Sequence, residues 1–236
     1  MILLSNDDGI GAPGLRRLYR ALRAATGSPV LVVAPTVQHS GQGHAITLDR
    51  GLTATPVLEE GFFGFAVDGT PADCVKLAVQ ALCPVPPTLV VCGINDGPNV
   101  GRSLFYSGTV GAALEAAIEG QAALAVSADH GLENLDAAAT AAAGLASACV
   151  GRRELRGLVL NLNFPAGPAT AWRELHVVDH GLGGFTETYR PRLSGGRLAW
   201  HLHGERGGQA VGPLNDARAL ADGHPTLTVL EPDLNP

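Results

Sequence analysis

Short apolar runs alternate with helix-periodic segments through the first two thirds of this chain, and no other feature constrains its fold as strongly. Ile2–Ser5, Val30–Ala34, Phe65–Val67, Leu89–Cys92, Ala123–Ser127 and Leu158–Leu162 read as strands. The segments 13–26, 71–82, 108–119 and 134–149 read as helices. The Ala-rich stretch from Leu135 to Val150 is helix-forming throughout, with side chains small enough for close packing. Strand–helix–strand repetition predicts βαβ units and a mostly parallel sheet, the three-layer α/β/α Rossmann-like class.

From Trp172 onward the texture changes. His176-Val177-Val178-Asp179, Leu198–Leu202 and Thr226–Val229 look like strands, and Arg190–Arg197 looks like a loop between them. Residues 1–236 therefore read as one domain, with a β-rich C-terminal extension over about 172–236. Gly207-Gly208 and the Pro-Val-Pro-Pro at 84–87 are local punctuation rather than linkers.

Composition removes several function classes. No apolar run reaches the roughly 18 residues of a membrane span. The first strand begins at Ile2, which leaves no room for a signal peptide, and a cytoplasmic location is expected. Net charge is −6, and Lys76 is the single lysine among 16 basic residues. Without a basic stripe, a nucleic-acid polymer is not an expected partner. An acidic chain that binds phosphate is expected to recruit a cation. Cys74, Cys83, Cys92 and Cys149 form no CxxC pair and read as reduced, structural thiols.

The stretch Leu4-Ser5-Asn6-Asp7-Asp8-Gly9-Ile10-Gly11 ends the first strand in two carboxylates and a glycine series. Gly9, Gly11 and Gly14 have dinucleotide-fingerprint spacing, which also requires an acid closing the second strand roughly 20 residues on. That strand closes on Val32-Val33-Ala34-Pro35, with no acid, so the glycines read as a tight turn. Asp7 and Asp8 lie where open α/β sheets bind ligands, and hard divalent cations favour such oxygen ligands. The bland alternative is that one of them caps the next helix.

Other segments at the same sheet edge point the same way. Pro35–His44 is polar and glycine-rich, and Gly93–Gly101 is dense in oxygen donors. Tyr106-Ser107-Gly108-Thr109-Val110-Gly111 opens a helix whose first N–H groups suit an anion, although Ser107 also reads as a plain N-cap. Thr70, Pro71 and Asp73 read as a capping box.

These motifs together resemble the SurE family of survival proteins, metal-dependent phosphatases of nucleoside monophosphates. The resemblance is carried by Ser5-Asn6-Asp7-Asp8-Gly9 with Ala12-Pro13-Gly14, and by Ser40 with Gly43-His44-Ala45-Ile46-Thr47. It continues through Gly69–Cys74, Gly93-Ile94-Asn95 with Gly97 and Asn99, and Tyr106–Ala113, dense over 1–127 and looser beyond. It implies that Asp7, Asp8, Ser40 and Asn95 bind one divalent metal per subunit, Mg²⁺ or Mn²⁺. It implies that Asn99, Ser107, Gly108 and Thr109 contact phosphate. It also implies a homodimer or homotetramer with the β-rich tail between subunits. Asp96 after Asn95 and Ser103 in place of an acid depart from the family, and Asp233 matches a position near its site. The chain stops at Pro236, which puts a tail histidine as proton donor in doubt.

The expected activity is hydrolysis of nucleoside 5′- and 3′-monophosphates by metal-activated water, with Asp8 or a group behind the ligands taking the water's proton and His44 a candidate acid. The alternatives are a phosphotransferase with an aspartyl-phosphate on Asp7 and a non-catalytic, metal- and nucleotide-binding regulator. Adjacent acids do not match the i, i+2 spacing usual for the first of these.

Overall fold

β1 (Ile2–Ser5) is buried at every position, as a central parallel strand covered on both faces must be. In this computed structural model, which describes residues 1–129, 134–183, 185–206 and 214–233, β1 lies between β2 (Val30–Pro35) and β5 (Leu89–Asp96). β3 (Ala54–Glu59), β4 (Phe62–Val67), β6 (Ala123–Ala128), β7 (Val159–Phe164), β8 (His176–Val177) and β11 (Thr226–Leu230) complete a sheet of order β3-β4-β2-β1-β5-β6-β7-β11-β8. Pairing is parallel from β4 through to β7, whereas β3–β4 and β7–β11 are antiparallel. The fold is α/β with a mostly parallel sheet, as the alternating pattern predicts.

Helices cover both faces. α1 (Pro13–Thr26) and α4 (Leu135–Cys149) share one core with Leu4, Val32, Val91 and Leu124. α2 (Pro71–Leu77) and α3 (Gly108–Ile118) share the other with Leu3, Val33, Val90 and Ala125. Alternate residues of one strand thus feed opposite cores. The alanines of α4 share this core with α1, and their small side chains let the two helices pack closely. Thr70 and Asp73 form the expected capping box on α2. α2 gives way to a π-turn over Ala78–Leu82, so 71–82 is not one uniform helix.

One expectation needs correction: Arg190–Arg197 is not a loop. β9 (Phe185–Ser194) and β10 (Arg197–Arg206) form a long hairpin that turns at Gly195-Gly196, both at positive φ as a primed turn requires. β3, outside the expected strands, carries Pro56 and forms the sheet's edge, where a missing N–H is tolerated. Within the C-terminal extension, β8 and β11 join the main sheet and the hairpin forms a sheet of its own. Gly207-Gly208 lies outside the described residues.

Candidate active site

The carboxyl ends of β1, β2 and β5 and the first turn of α3 meet at one edge of the sheet. Asp7, just past β1, is buried, and its Oδ1 accepts the Thr109 hydroxyl of α3. Gly108 lets the helix start this close, because a Cβ there would stand 2.9 Å from the Asp7 Cβ and 3.0 Å from its Oδ2. Burial pushes the Asp7 carboxyl up, and the Thr109 hydroxyl and the backbone N–H groups of Thr109 and Gly108 pull against that rise. The Asp7 carbonyl accepts the His39 N–H at 2.8 Å and so ties the loop after β2 to the strand end.

Asp8 and Ser40 meet on one donor. The Gln38 Nε2 amide lies 3.2 Å from Asp8 Oδ1 and 2.9 Å from Ser40 Oγ. Asp8 Oδ2 faces the Asp96 N–H at 3.4 Å. Burial first, and the neighbouring Asp7 carboxylate second, push the Asp8 carboxyl up to about 6. Asn95 Nδ2 donates to the Gly97 carbonyl at 2.6 Å, which turns its Oδ1 into the atom available to a ligand. A register shift between Cys92 and Asn95 re-aims the end of β5 toward this edge. Neither Asp7 nor Asp8 caps α1, whose N-cap is Ala12.

The donor set suits a hard divalent cation. A positively polarised amide already bridges two of the expected ligands, and every expected ligand offers oxygen. Among the described residues no three His, Cys, Asp or Glu side chains cluster as a metal site.

The expected phosphate contacts are placed less uniformly. Ser107 caps α3 by accepting the Val110 N–H at 3.1 Å, and its hydroxyl hydrogen stays available. Ser107 is thus the N-cap the sequence allows. Asn99 is buried, with Nδ2 donating to Ser127 Oγ at 2.8 Å and its carbonyl accepting Asn161 Nδ2 at 2.9 Å. Its backbone N–H donates to Asn163 Oδ1 at 2.7 Å. Its second amide hydrogen is the donor it has left for a phosphate. His44 lines a cavity of about 520 Å³ that starts at Ser107, and Asp8, Gln38 and Asp96 line a second of about 340 Å³.

Sequence reasoning missed Gln38, Ser127, Asn161 and Asn163. Only the last pair left a readable signal: Leu160-Asn161-Leu162-Asn163 alternates polar with apolar inside a strand buried at every position.

The Asp8 carboxyl makes a sign-definite prediction. A carboxyl raised to about 6 when folded stabilises the fold below its unfolded value of about 4, and that contribution is lost as pH rises through 6. In EDTA, thermal unfolding should show this loss between pH 4 and 6, and Asp8→Asn should flatten it. Equal slopes for both proteins would rule the shift out.

Residues 2–186 match the family model described as survival protein SurE. This chain belongs to the SurE family. The SurE relative from Desulfovibrio desulfuricans, named a 5′-nucleotidase, is 44% identical over 240 residues, covering 97% of this chain and 91% of that protein. The 5′-nucleotidase SurE of Moorella thermoacetica is 42% identical over 238 residues, covering 99% and 91%. The crystal structure of SurE from Aquifex aeolicus superposes with a TM-score of 0.83 at 32% identity, covering 99% of this chain and 94% of that one. Among the described residues no helix is long and apolar enough to cross a membrane.

Proposed function

We propose that this SurE chain is a divalent-metal-dependent phosphomonoesterase that hydrolyses nucleoside monophosphates, at the 5′ position and also the 3′ position, to nucleoside and phosphate. The observation that carries the reading is the meeting of Asp8 and Ser40 on the Gln38 amide, beside Asp7 at the start of α3. The names of its relatives support the nucleotidase class.

Asp7, Asp8, Ser40 and Asn95 would hold one Mg²⁺ or Mn²⁺ ion. When bound, that ion supplies positive charge against the phosphate and lowers the pKa of water. Gln38 orients Asp8 and Ser40 toward each other. The Ser107 hydroxyl, the Gly108 and Thr109 N–H groups and Asn99 donate to the non-bridging phosphate oxygens, where charge builds in the transition state. Asp8 takes a proton from the attacking water as the new P–O bond forms. His44 delivers a proton to the nucleoside oxygen as the ester P–O bond breaks.

The exposed β9–β10 hairpin belongs, in this reading, to a homodimer or homotetramer contact. Tyr189, Leu193, Leu198, Trp200 and Leu202 are exposed on it, and a lone two-stranded ribbon is marginal in water. Four unpaired cysteines suit a reducing compartment, the cytoplasm.

Phosphate release from AMP and GMP with Mn²⁺, Mg²⁺ or EDTA tests the function. Turnover that needs the cation supports it. Turnover indifferent to EDTA overturns it in favour of an aspartyl-phosphate, and cation binding without turnover favours the regulator.

A further inference from the structure

His44 sits on a segment pinned from both sides. The Gly43 N–H donates to the Tyr106 carbonyl at 2.9 Å, and a Cβ on Gly111 would stand 3.0 Å from His44 Cα, so residues 43 and 44 lie directly on α3. Further along, the Thr70 hydroxyl holds the Ala45 carbonyl at 2.6 Å, and the Asp73 carboxylate takes both the Thr47 N–H and hydroxyl at 2.9 and 2.6 Å. The backbone position of His44 is therefore set by α2 and α3, and only its ring remains to be oriented.

The ring meets Glu115. His44 Nε2 lies 2.7 Å from Glu115 Oε2, and the other carboxylate oxygen, Oε1, lies 2.6 Å from Lys76 Nζ. Glu115 is 4% exposed, the one charged side chain among the buried residues of α3. A buried carboxylate is costly unless every oxygen is paired. An ion pair between α2 and α3 does not require it, because Lys76 also reaches Glu119 at 2.9 Å. What Glu115 alone supplies is a fixed acceptor for the imidazole. The His44 partner first, with Lys76 also contributing, holds the Glu115 carboxyl below the usual carboxylate range despite its burial. It is ionised at neutral pH and can only accept.

We infer that Glu115 is a positioning residue for His44: it holds the Nε2–H tautomer against α3 and leaves Nδ1 as the nitrogen that exchanges a proton with a ligand in the cavity beginning at Ser107. The inference rests on His44 as proton donor in the reading above. Protonated Nδ1 gives its hydrogen to the nucleoside oxygen as the ester P–O bond breaks, and the bare nitrogen is reprotonated from solvent. Lys76, the chain's single lysine, tempers the Glu115 charge from α2. The other charged or titratable groups around the ring are Glu119 beyond Lys76, Asp73 tied to Thr47, and His180 and Glu231 across the cavity.

The test combines kinetics on AMP with Mn²⁺ across pH and ¹⁵N NMR of the histidine rings. In Glu115→Gln, kcat is expected to fall about tenfold to a hundredfold with KM nearly unchanged. Lys76→Gln, at a half-exposed position, should lower kcat less, because Glu115 still holds the ring. His44→Gln should lose at least as much as Glu115→Gln, and the double variant no more than His44→Gln alone.

Independently of turnover, the neutral His44 ring of the wild type should be the Nε2–H tautomer, and Glu115→Ala should mix the tautomers. A lowered kcat in Glu115→Gln together with an Nε2–H ring in the wild type supports the inference. An Nδ1–H ring in the wild type overturns it whether or not AMP is hydrolysed. So does a Glu115→Gln enzyme with unchanged kcat, while wild-type turnover then leaves the nucleotidase reading standing. If Glu115→Gln does not fold, the wild-type tautomer decides.

Discussion

Asp8→Asn should lower kcat/KM for AMP by about a thousandfold, or about 4 kcal/mol of transition-state stabilisation. An asparagine keeps the shape and still accepts from Gln38, but it gives up the negative charge and the basicity that the proposed cation site and water activation require. The same substitution should raise the melting temperature in EDTA at pH 8. There it removes a half-buried charge set against Asp7 and Asp96. Loss of activity combined with gain of stability separates a functional carboxylate from a structural one. Steady-state kinetics at saturating Mn²⁺ and thermal unfolding measure the two effects. Activity within tenfold of the wild type would remove Asp8 from the site.

Asp216→Ala should cost on the order of 4 kcal/mol of folding stability, read from denaturant midpoints. Asp216 is fully buried at the start of α5 (Asp216–Ala221). Its Oδ2 accepts the Gly101 N–H at 3.0 Å, and its Oδ1 accepts those of Gly181 and Ala217 at 2.9 and 2.8 Å. One carboxylate thus joins the segment between Asn99 and α3 to the tail. Truncation leaves three backbone donors unpaired away from water, and each such group costs about 1–3 kcal/mol. Because Gly101 lies between Asn99 and Ser107, activity should fall as well, through misplacement of the start of α3. A stability change under about 1 kcal/mol would show that solvent or neighbouring carbonyls replace the carboxylate.

Legibility followed the range of the interaction involved. β1, β2, β5, β6 and β7 were readable because a parallel strand buried on both faces must be apolar nearly throughout. The starts of α1 and α2 were readable because Pro13, Thr70, Pro71 and Asp73 act within one turn. β3 was not, since Pro56 argues locally against a strand and only its pairing with β4 makes one. Of the β9–β10 hairpin only Leu198–Leu202 was read as a strand, and the rest escaped for a related reason. Its strands bury no common face in the main core and so leave no simple alternation to read.

The site divides the same way. By itself, the sequence determined which side chains are candidates for the site: an Asp7-Asp8 pair ending a strand, the Ser40 and Asn95 segments at the same edge, and a helix opening Ser107-Gly108-Thr109. Residue type and position after a strand are local properties, and the resemblance to a family supplied the rest. Only the tertiary structure decided what those side chains touch. It put Asp7 on Thr109, spanned Asp8 and Ser40 with Gln38, committed the Asn99 amide to Ser127, and set Glu115 behind His44. Each of these contacts joins different elements, up to 102 positions apart for Asp7 and Thr109. A hydrogen bond depends on distances of a few tenths of an ångström, and those are set by how the sheet and helices pack rather than by any short stretch of chain.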